Sequence, residues 1–289
     1  GSRVRGIHSV YLGCIVWLVV FCRAGKRGHA ARHRTYRHWL YSQHTEGKSL
    51  IIWGYTSLMS GPSYDNLYEV ACLRKGGSDV VESLLPTIAS KEYLRGLGSD
   101  RYLAEFTRKV FQSGFVWRIV NNKWPQFEEV FWEFDIERLL MMPNDMLERK
   151  ASDPGIIRNF SKVKTVLDNA VMIADTERRE DKTFGEFIAG WPDDDIVSLW
   201  LFLKKHGSRL GGNTGPYALR TLGVDTFLMT ADVEFFLREN DIVDSGIHSL
   251  RALKAAQSYF NNLREESGRS LSELSRLVSL GVRRNQILE

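Results

Sequence analysis

Cysteine is scarce in this chain, three residues in 289, and histidine is scarce wherever a folded domain would use it. Cys14 and Cys22 fall in the first 58 residues together with five of the seven histidines, which leaves Cys72, His206 and His248 for everything after. One cysteine builds no disulfide framework, so a reducing cytoplasm is the expected compartment. One Cys and two His do not make a structural zinc site, and no motif asks for a cofactor, so neither metal nor cofactor is expected. Long apolar runs are missing as well. The longest, Val10 to Cys22, is thirteen residues, too short to cross a bilayer comfortably, and no membrane partner is expected. Acids are nearly absent from the first 58 residues, where Glu46 faces nine Lys and Arg. That segment is therefore +8, and the rest of a +4 chain carries −4. The basic character belongs to the leader alone.

Methionine is also absent before Met59. Three descriptions compete for residues 1–58. A targeting segment fits Arg3 and Arg5 before the apolar run, although the Arg and His cluster after it is a poor cleavage region. A basic nucleic-acid arm fits the charge but not Trp17, Leu18, Val19, Val20 and Phe21. A non-native upstream stretch, with the protein beginning at Met59 and its polar Ser60-Gly61-Pro62-Ser63, explains the composition shift most simply. The leader is thus expected to be non-native or disordered, and residues 59–289 to form the folded domain.

What is present there is helical spacing. Leu103, Phe106 and Val110 make a stripe on a helix from about Asp100 to Gln112. Val163, Val166, Leu167, Ala170 and Ala174 make another after Asn159. Ile196, Leu199, Trp200 and Leu203 mark a third, opened by Asp193 to Asp195, acids well placed at a helix N-terminus. Leu250, Leu253, Phe260 and Leu263 line a long helix ending near Gly268, and Ser270 with Glu273 opens the last as a capping box. Breakers fall between these stripes at Pro86, Gly96, Gly98, Trp124-Pro125, Pro143-Asn144, Asp153-Pro154-Gly155, Trp191-Pro192 and Gly207 to Gly215. The expectation is an all-α domain of eight to ten helices, in two lobes around a cleft.

The stretch from His206 to Gly215 is the most informative. A tight Gly-rich turn between two helices exposes backbone N–H groups at the start of the second helix, and these can hold a phosphate without lysines. Such a contact positions nucleic acid without reading its sequence, which lets a domain of net −4 bind DNA. The plainer alternative is a connector whose glycines only supply left-handed backbone.

That hairpin, Leu210-Gly211-Gly212-Asn213-Thr214-Gly215-Pro216-Tyr217-Ala218-Leu219-Arg220, continuing through Asp225-Thr226-Phe227 to Asp232, resembles the helix-hairpin-helix DNA glycosylase superfamily. Upstream, Gln112-Ser113-Gly114-Phe115-Val116-Trp117, Gly155-Ile156-Ile157-Arg158-Asn159, Lys162-Val163 and Asn169-Ala170 resemble the DNA-3-methyladenine glycosylase I family. The blocks run from about 100 to 240 in the family's order. The resemblance implies a base-excision repair enzyme, monomeric, acting on double-stranded DNA with a damaged base, expected to be an alkylated one. Such enzymes flip the nucleotide out of the stack and hold the base against aromatic rings. A cationic alkylated purine is drawn to an electron-rich ring face.

Carried over residue by residue, Trp117 matches the family's stacking tryptophan, with Phe115, Gln112 and Lys109 around the base. Phe111 reads better as core on the Leu103 stripe. Asp232, eighteen residues beyond Thr214, matches the aspartate that helps hydrolysis at C1′, by stabilising developing positive charge or activating water. Its alternative is a first-turn acid that favours the helix dipole. Asp225 reads as a cap or turn residue. Arg209, Gly211, Gly212, Asn213, Thr214 and Gly215 are expected on the DNA backbone, with Arg158 and Lys162; Lys164 reads as a surface charge. Asn213 to Asp232 contains no lysine, so water rather than a Schiff base is the expected nucleophile. The alternative function is a non-catalytic module of the same fold that binds damaged or bent DNA.

Two features depart from the family. An acid three residues before the motif's glutamine contacts the damaged base there; here Lys109 stands at that position, repels a cationic base, and suits a neutral one unless it points elsewhere. The family's Cys/His zinc site has no counterpart in residues 59–289. Among weaker candidates, Asp193-Asp194-Asp195 reads as a solvated cap and Met141-Met142 as core filler. Arg283 and Arg284 are open between a DNA contact and a solubilising terminus.

Overall fold

A computed structural model describes residues 39–45, 48–54 and 61–282. The apolar run Val10 to Cys22, Met59, and Arg283 with Arg284 lie outside these. The chain divides into two compact units, Gly1–Met59 and Ser60–Glu289. In the first, strands β1 (Trp39–Thr45) and β2 (Lys48–Gly54) pair antiparallel, in register from Thr45 with Lys48 to Trp39 with Gly54. No element was expected there, although Leu50-Ile51-Ile52-Trp53 is the aliphatic and aromatic composition that favours strands.

The second unit is all-α among its described residues. Its helices are α1 (Tyr64–Lys75), α2 (Ser78–Ser83), α3 (Lys91–Gly96), α4 (Ser99–Gln112), α5 (Trp117–Asn122), α6 (Trp124–Val130), α7 (Ile136–Leu140) and α8 (Asn144–Ala151). They continue as α9 (Phe160–Glu180), α10 (Phe184–Ala189), α11 (Ile196–His206), α12 (Thr214–Leu222), α13 (Ala231–Glu239), α14 (Leu250–Ser267) and α15 (Leu271–Gly281). That is more, and shorter, helices than the eight to ten expected. The excess comes largely from 117–151, where four helices of eight residues or fewer are too brief to show a 3.6-residue period. Aromatic packing holds that stretch. Trp124 stacks between Phe127 and Phe134, with centroids 5.3 and 5.5 Å away, and Phe131 stacks on Phe134 at 5.7 Å.

The longer elements form for the reasons the sequence suggests. The Asn159 side chain accepts the Lys162 N–H and caps α9, and Ser270 with Glu273 forms the capping box of α15. A second box, Thr183 with Glu186, opens α10. The acids before α11 behave differently from expectation. Asp195 stands at the N-cap without a side-chain cap bond, because its carboxylate accepts from Gln257, while Asp193 pairs with Lys91 at 2.8 Å. Met142 is buried as expected, but Met141 is exposed.

The core runs from α4 outward. Tyr102, Leu103, Phe106, Val110 and Phe111 are fully enclosed or nearly so, and α4 packs on both α9 and α12. Phe111 meets Phe127 edge-on at 4.7 Å, which makes it core. These two contacts of α4 bring the ends of three elements together: the turn after α4, the start of α9, and the hairpin before α12. Among the described residues no helix is long and apolar enough to cross a membrane.

Candidate active site

The Trp117 turn is a sharp exit from α4. Gly114 takes φ +75°, where an L side chain is strained, and Phe115, Val116 and Trp117 follow with their rings and methyls largely in solvent. Trp117 is 50% exposed, unusual for so large an apolar group five residues past the end of a buried helix. What holds this turn is Lys162. Its Nζ donates to the carbonyls of Ser113 at 2.7 Å and Phe111 at 3.2 Å, and lies 4.8 Å from the Phe115 ring centre. Burial, with the charge of Arg209 nearby, pushes its ammonium below the usual lysine range. Lys162 was expected on the DNA backbone; here its side chain is buried, with two donors given to carbonyls, an arrangement that fits positioning the turn.

Lys109 and Gln112 lie on the last turns of α4, both buried. Lys109 Nζ is 3.0 Å from Glu105 Oε1, one helical turn back, and donates to Gln112 Oε1 at 3.2 Å. Gln112 Nε2 in turn donates to Asn121 Oδ1 at 2.9 Å. Lys109 Nζ also sits 5.3 Å from the centre of the Trp117 ring. The lysine thus faces the exposed tryptophan.

The hairpin between α11 and α12 is built by close approach. A Cβ on Gly215 would stand 2.6 Å from the Leu210 carbonyl oxygen, and one on Gly207 2.8 Å from that of Leu203. Gly212 and Arg209 both take left-handed backbone, at φ +61°. Asn169 of α9 grips the loop from below: its Oδ1 accepts Ser208 N–H at 2.7 Å, and its Nδ2 donates to the Ser208 carbonyl at 3.2 Å. Asn213 Nδ2 donates to the Met229 carbonyl at 2.9 Å, which ties the hairpin to the segment entering α13. The amides of Thr214 and Gly215 close the turn onto Gly211 and Leu210. Arg209 is exposed and donates to Ser161 Oγ at 2.5 Å. Arg158 is exposed on the loop before α9.

Asp232 lies in the first turn of α13, half-buried, while Thr230 supplies the N-cap by accepting from Val233 N–H. The carboxylate is therefore not the cap. Tyr217 of α12 connects it to the tryptophan. Its ring meets Trp117 edge-on at 5.8 Å, and burial together with the Asp232 charge raises its phenol above the usual range, against the pull of Arg220. Tyr217 was inside a matched block but carried no assigned role, since neither charge nor spacing marks it. Asn169 was missed for the same reason. Glu105 was detectable, four residues before a lysine on a helix face.

The other candidates go to structure. Asp225 accepts from the Leu271 and Ser272 amides at the start of α15. Among the described residues no group of His, Cys, Asp and Glu is placed to hold a metal ion. A cavity of about 440 Å³ lined by Lys91, Trp191, Asp193, Val224, Arg264 and Arg269 contains none of the base-pocket or hairpin residues, nor Asp232. Of its cations, Lys91 pairs with Asp193 and Arg269 with Glu82 and Glu273, while Arg264 donates to the Asp193 carbonyl at 2.8 Å.

Residues 98–201 match the methyladenine glycosylase family model. That span includes Lys109, Gln112, Trp117, Lys162 and Asn169, and stops before the hairpin and Asp232. No curated protein matches the chain. Among solved structures it is similar to 3-methyladenine DNA glycosylase I from Staphylococcus aureus, at 19% identity over 54% of this chain and 91% of that one, TM-score 0.39. It is similar to Methanocaldococcus jannaschii 8-oxoguanine glycosylase/lyase in complex with DNA containing 8-oxoguanine, at 16% identity over 78% and 100%, TM-score 0.44. A third is the 8-oxoguanine DNA glycosylase of Thermotoga maritima, at 14% identity over 74% and 94%, TM-score 0.46. With identities and scores this low, functional weight rests on the family match.

Proposed function

We propose, on the premise that residues 98–201 form a methyladenine glycosylase domain, that this DNA repair glycosylase is a monofunctional, base-flipping N-glycosylase. Duplex DNA is held at its backbone by the amides of Gly211, Gly212 and Asn213, the Thr214 hydroxyl, and the exposed Arg209 and Arg158. The damaged nucleotide leaves the stack, and its base lies on Trp117 beside Phe115, with its edge toward Lys109 and Gln112. Lys162 holds the Phe115 turn from behind and touches no DNA.

The reaction is a hydrolysis. The bond from C1′ to the base nitrogen breaks with its electrons leaving on the base, and water adds at C1′, giving a free base and an abasic sugar. Positive charge develops on the sugar in between, and Asp232 is the carboxylate placed to stabilise it or to take the proton of the attacking water. One observation carries this reading: the ring of Tyr217, on the helix that opens at the glycine hairpin, meets the exposed Trp117 edge-on at 5.8 Å, which supports placing the stacking surface beside the backbone-binding hairpin in one site.

The test is a panel of duplex oligonucleotides, each with one lesion (3-methyladenine, 7-methylguanine, hypoxanthine, uracil), assayed for free base. Release without strand cleavage, and without a covalent adduct after borohydride, is the expected result. Binding of lesion duplex with no release from any member of the panel would instead mark a non-catalytic recognition module. A borohydride-trapped adduct would replace water with a lysine nucleophile.

A further inference from the structure

We infer that the base pocket is built for a neutral base with a carbonyl acceptor on its edge, and that Lys109 makes it reject cationic, N-alkylated bases. This rests on the N-glycosylase reading above. The starting point is that Lys109 cannot retreat. Its side chain is 9% exposed, and its ammonium is fixed between Glu105 Oε1 at 3.0 Å and Gln112 Oε1 at 3.2 Å. Breaking a buried pair by moving one partner away leaves an uncompensated charge, which keeps the lysine where it is.

Three consequences follow for a base stacked on Trp117. The ammonium is 5.3 Å from that ring's centre, so it already occupies the electrostatic niche by which an aromatic face attracts a cation. A second cation on the same ring meets repulsion instead. Glu105 does not cancel this, because Arg108 Nη1 also approaches its Oε2, at 3.5 Å. Two cations around one carboxylate leave the end of α4 positive.

The hydrogen-bonding inventory points the same way. Lysine carries three donors and no acceptor; one is given to Gln112 Oε1, while Glu105 Oε1 is an ion-pair partner at 3.0 Å that takes no hydrogen bond. Gln112 turns its oxygen to Lys109 and gives one amide proton to Asn121 Oδ1 at 2.9 Å. What Lys109 can offer a base edge is donors only, and Gln112 adds one further amide proton. A carbonyl accepts from these, as on a deaminated or oxidised base, whereas the amino edge of 3-methyladenine offers donors to donors; 7-methylguanine keeps its O6 carbonyl, so against hypoxanthine it isolates the charge.

The experiment compares single-turnover release of hypoxanthine and of 7-methylguanine, which is positively charged in DNA, each divided by its uncatalysed loss from the same duplex. The native protein is expected to favour hypoxanthine by at least about tenfold, the scale on which one pocket contact discriminates. Lys109→Gln should narrow that ratio by about tenfold, and Lys109→Arg should preserve it. Equal or faster normalised release of 7-methylguanine by the native protein overturns the inference and leaves the glycosylase reading intact. So does a ratio that Lys109→Gln leaves unchanged. Release of neither base overturns this inference, and the glycosylase reading falls with it only when 3-methyladenine and uracil are not released either. The native ratio decides the matter even if Lys109→Gln fails to fold.

Discussion

The turn bearing Trp117 and the hairpin bearing Gly211 to Gly215 are both fastened to α9, by different means. The hairpin is shaped by steric exclusion, with Gly215 pressed against the Leu210 carbonyl, and by a two-point amide clamp from Asn169. The turn is held by one ammonium, that of Lys162, reaching two carbonyls, while its own rings stand in solvent. A backbone fixed by sterics tolerates almost no change, which suits a contact to phosphates that are the same in every sequence. A turn fixed from behind leaves its outward side chains replaceable, which suits a surface that chooses among bases. On the proposed reading, the rigid part of the site grips DNA and the variable part selects the lesion.

If that contrast is right, the largest effect belongs to the hairpin glycine. Gly215→Ala places a methyl 2.6 Å from a backbone oxygen, and a loss of about 2–3 kcal/mol is expected in urea unfolding. A midpoint unchanged from native would remove the steric account. Next comes Asn169→Ala, which orphans the N–H and carbonyl of Ser208 beneath a fully buried side chain. That should cost about 2 kcal/mol and weaken DNA binding with it, measured by titration of fluorescent duplex. Lys162→Met should cost less, about 1 kcal/mol, and should slow base release while duplex affinity and its salt slope stay native. A fall in the salt slope would instead return Lys162 to the DNA surface. Smallest is Arg158→Ala, with native stability and a salt slope shallower by about one unit.

The same contrast explains what could be read in the sequence. Helices α4, α9, α11 and α14 were legible because each carries a long apolar stripe, and α15 because Ser270 with Glu273 spells a capping box. Helices α5 to α8 were not, since stacked rings rather than period hold them. In the site, the glycine hairpin was visible because close packing demands glycine, and Trp117 because a short motif surrounds it. Lys162 was misread because its charge suggested the surface. Its position did not: it shares a face with Val166, Asn169 and Ile173, and all four are buried. Tyr217 joins the two halves only through tertiary contact, so nothing local could announce it.

The most direct test of the account is single-turnover base release by Asp232→Asn, with the lesion the native protein prefers. Thr230 already caps α13, so the helix start stays in place, and duplex affinity of the folded protein should stay native while release falls by about a hundredfold or more. Unaltered release by a folded Asp232→Asn protein would contradict the assignment of that carboxylate, and with it the claim that Trp117, Tyr217 and Asp232 form one catalytic site.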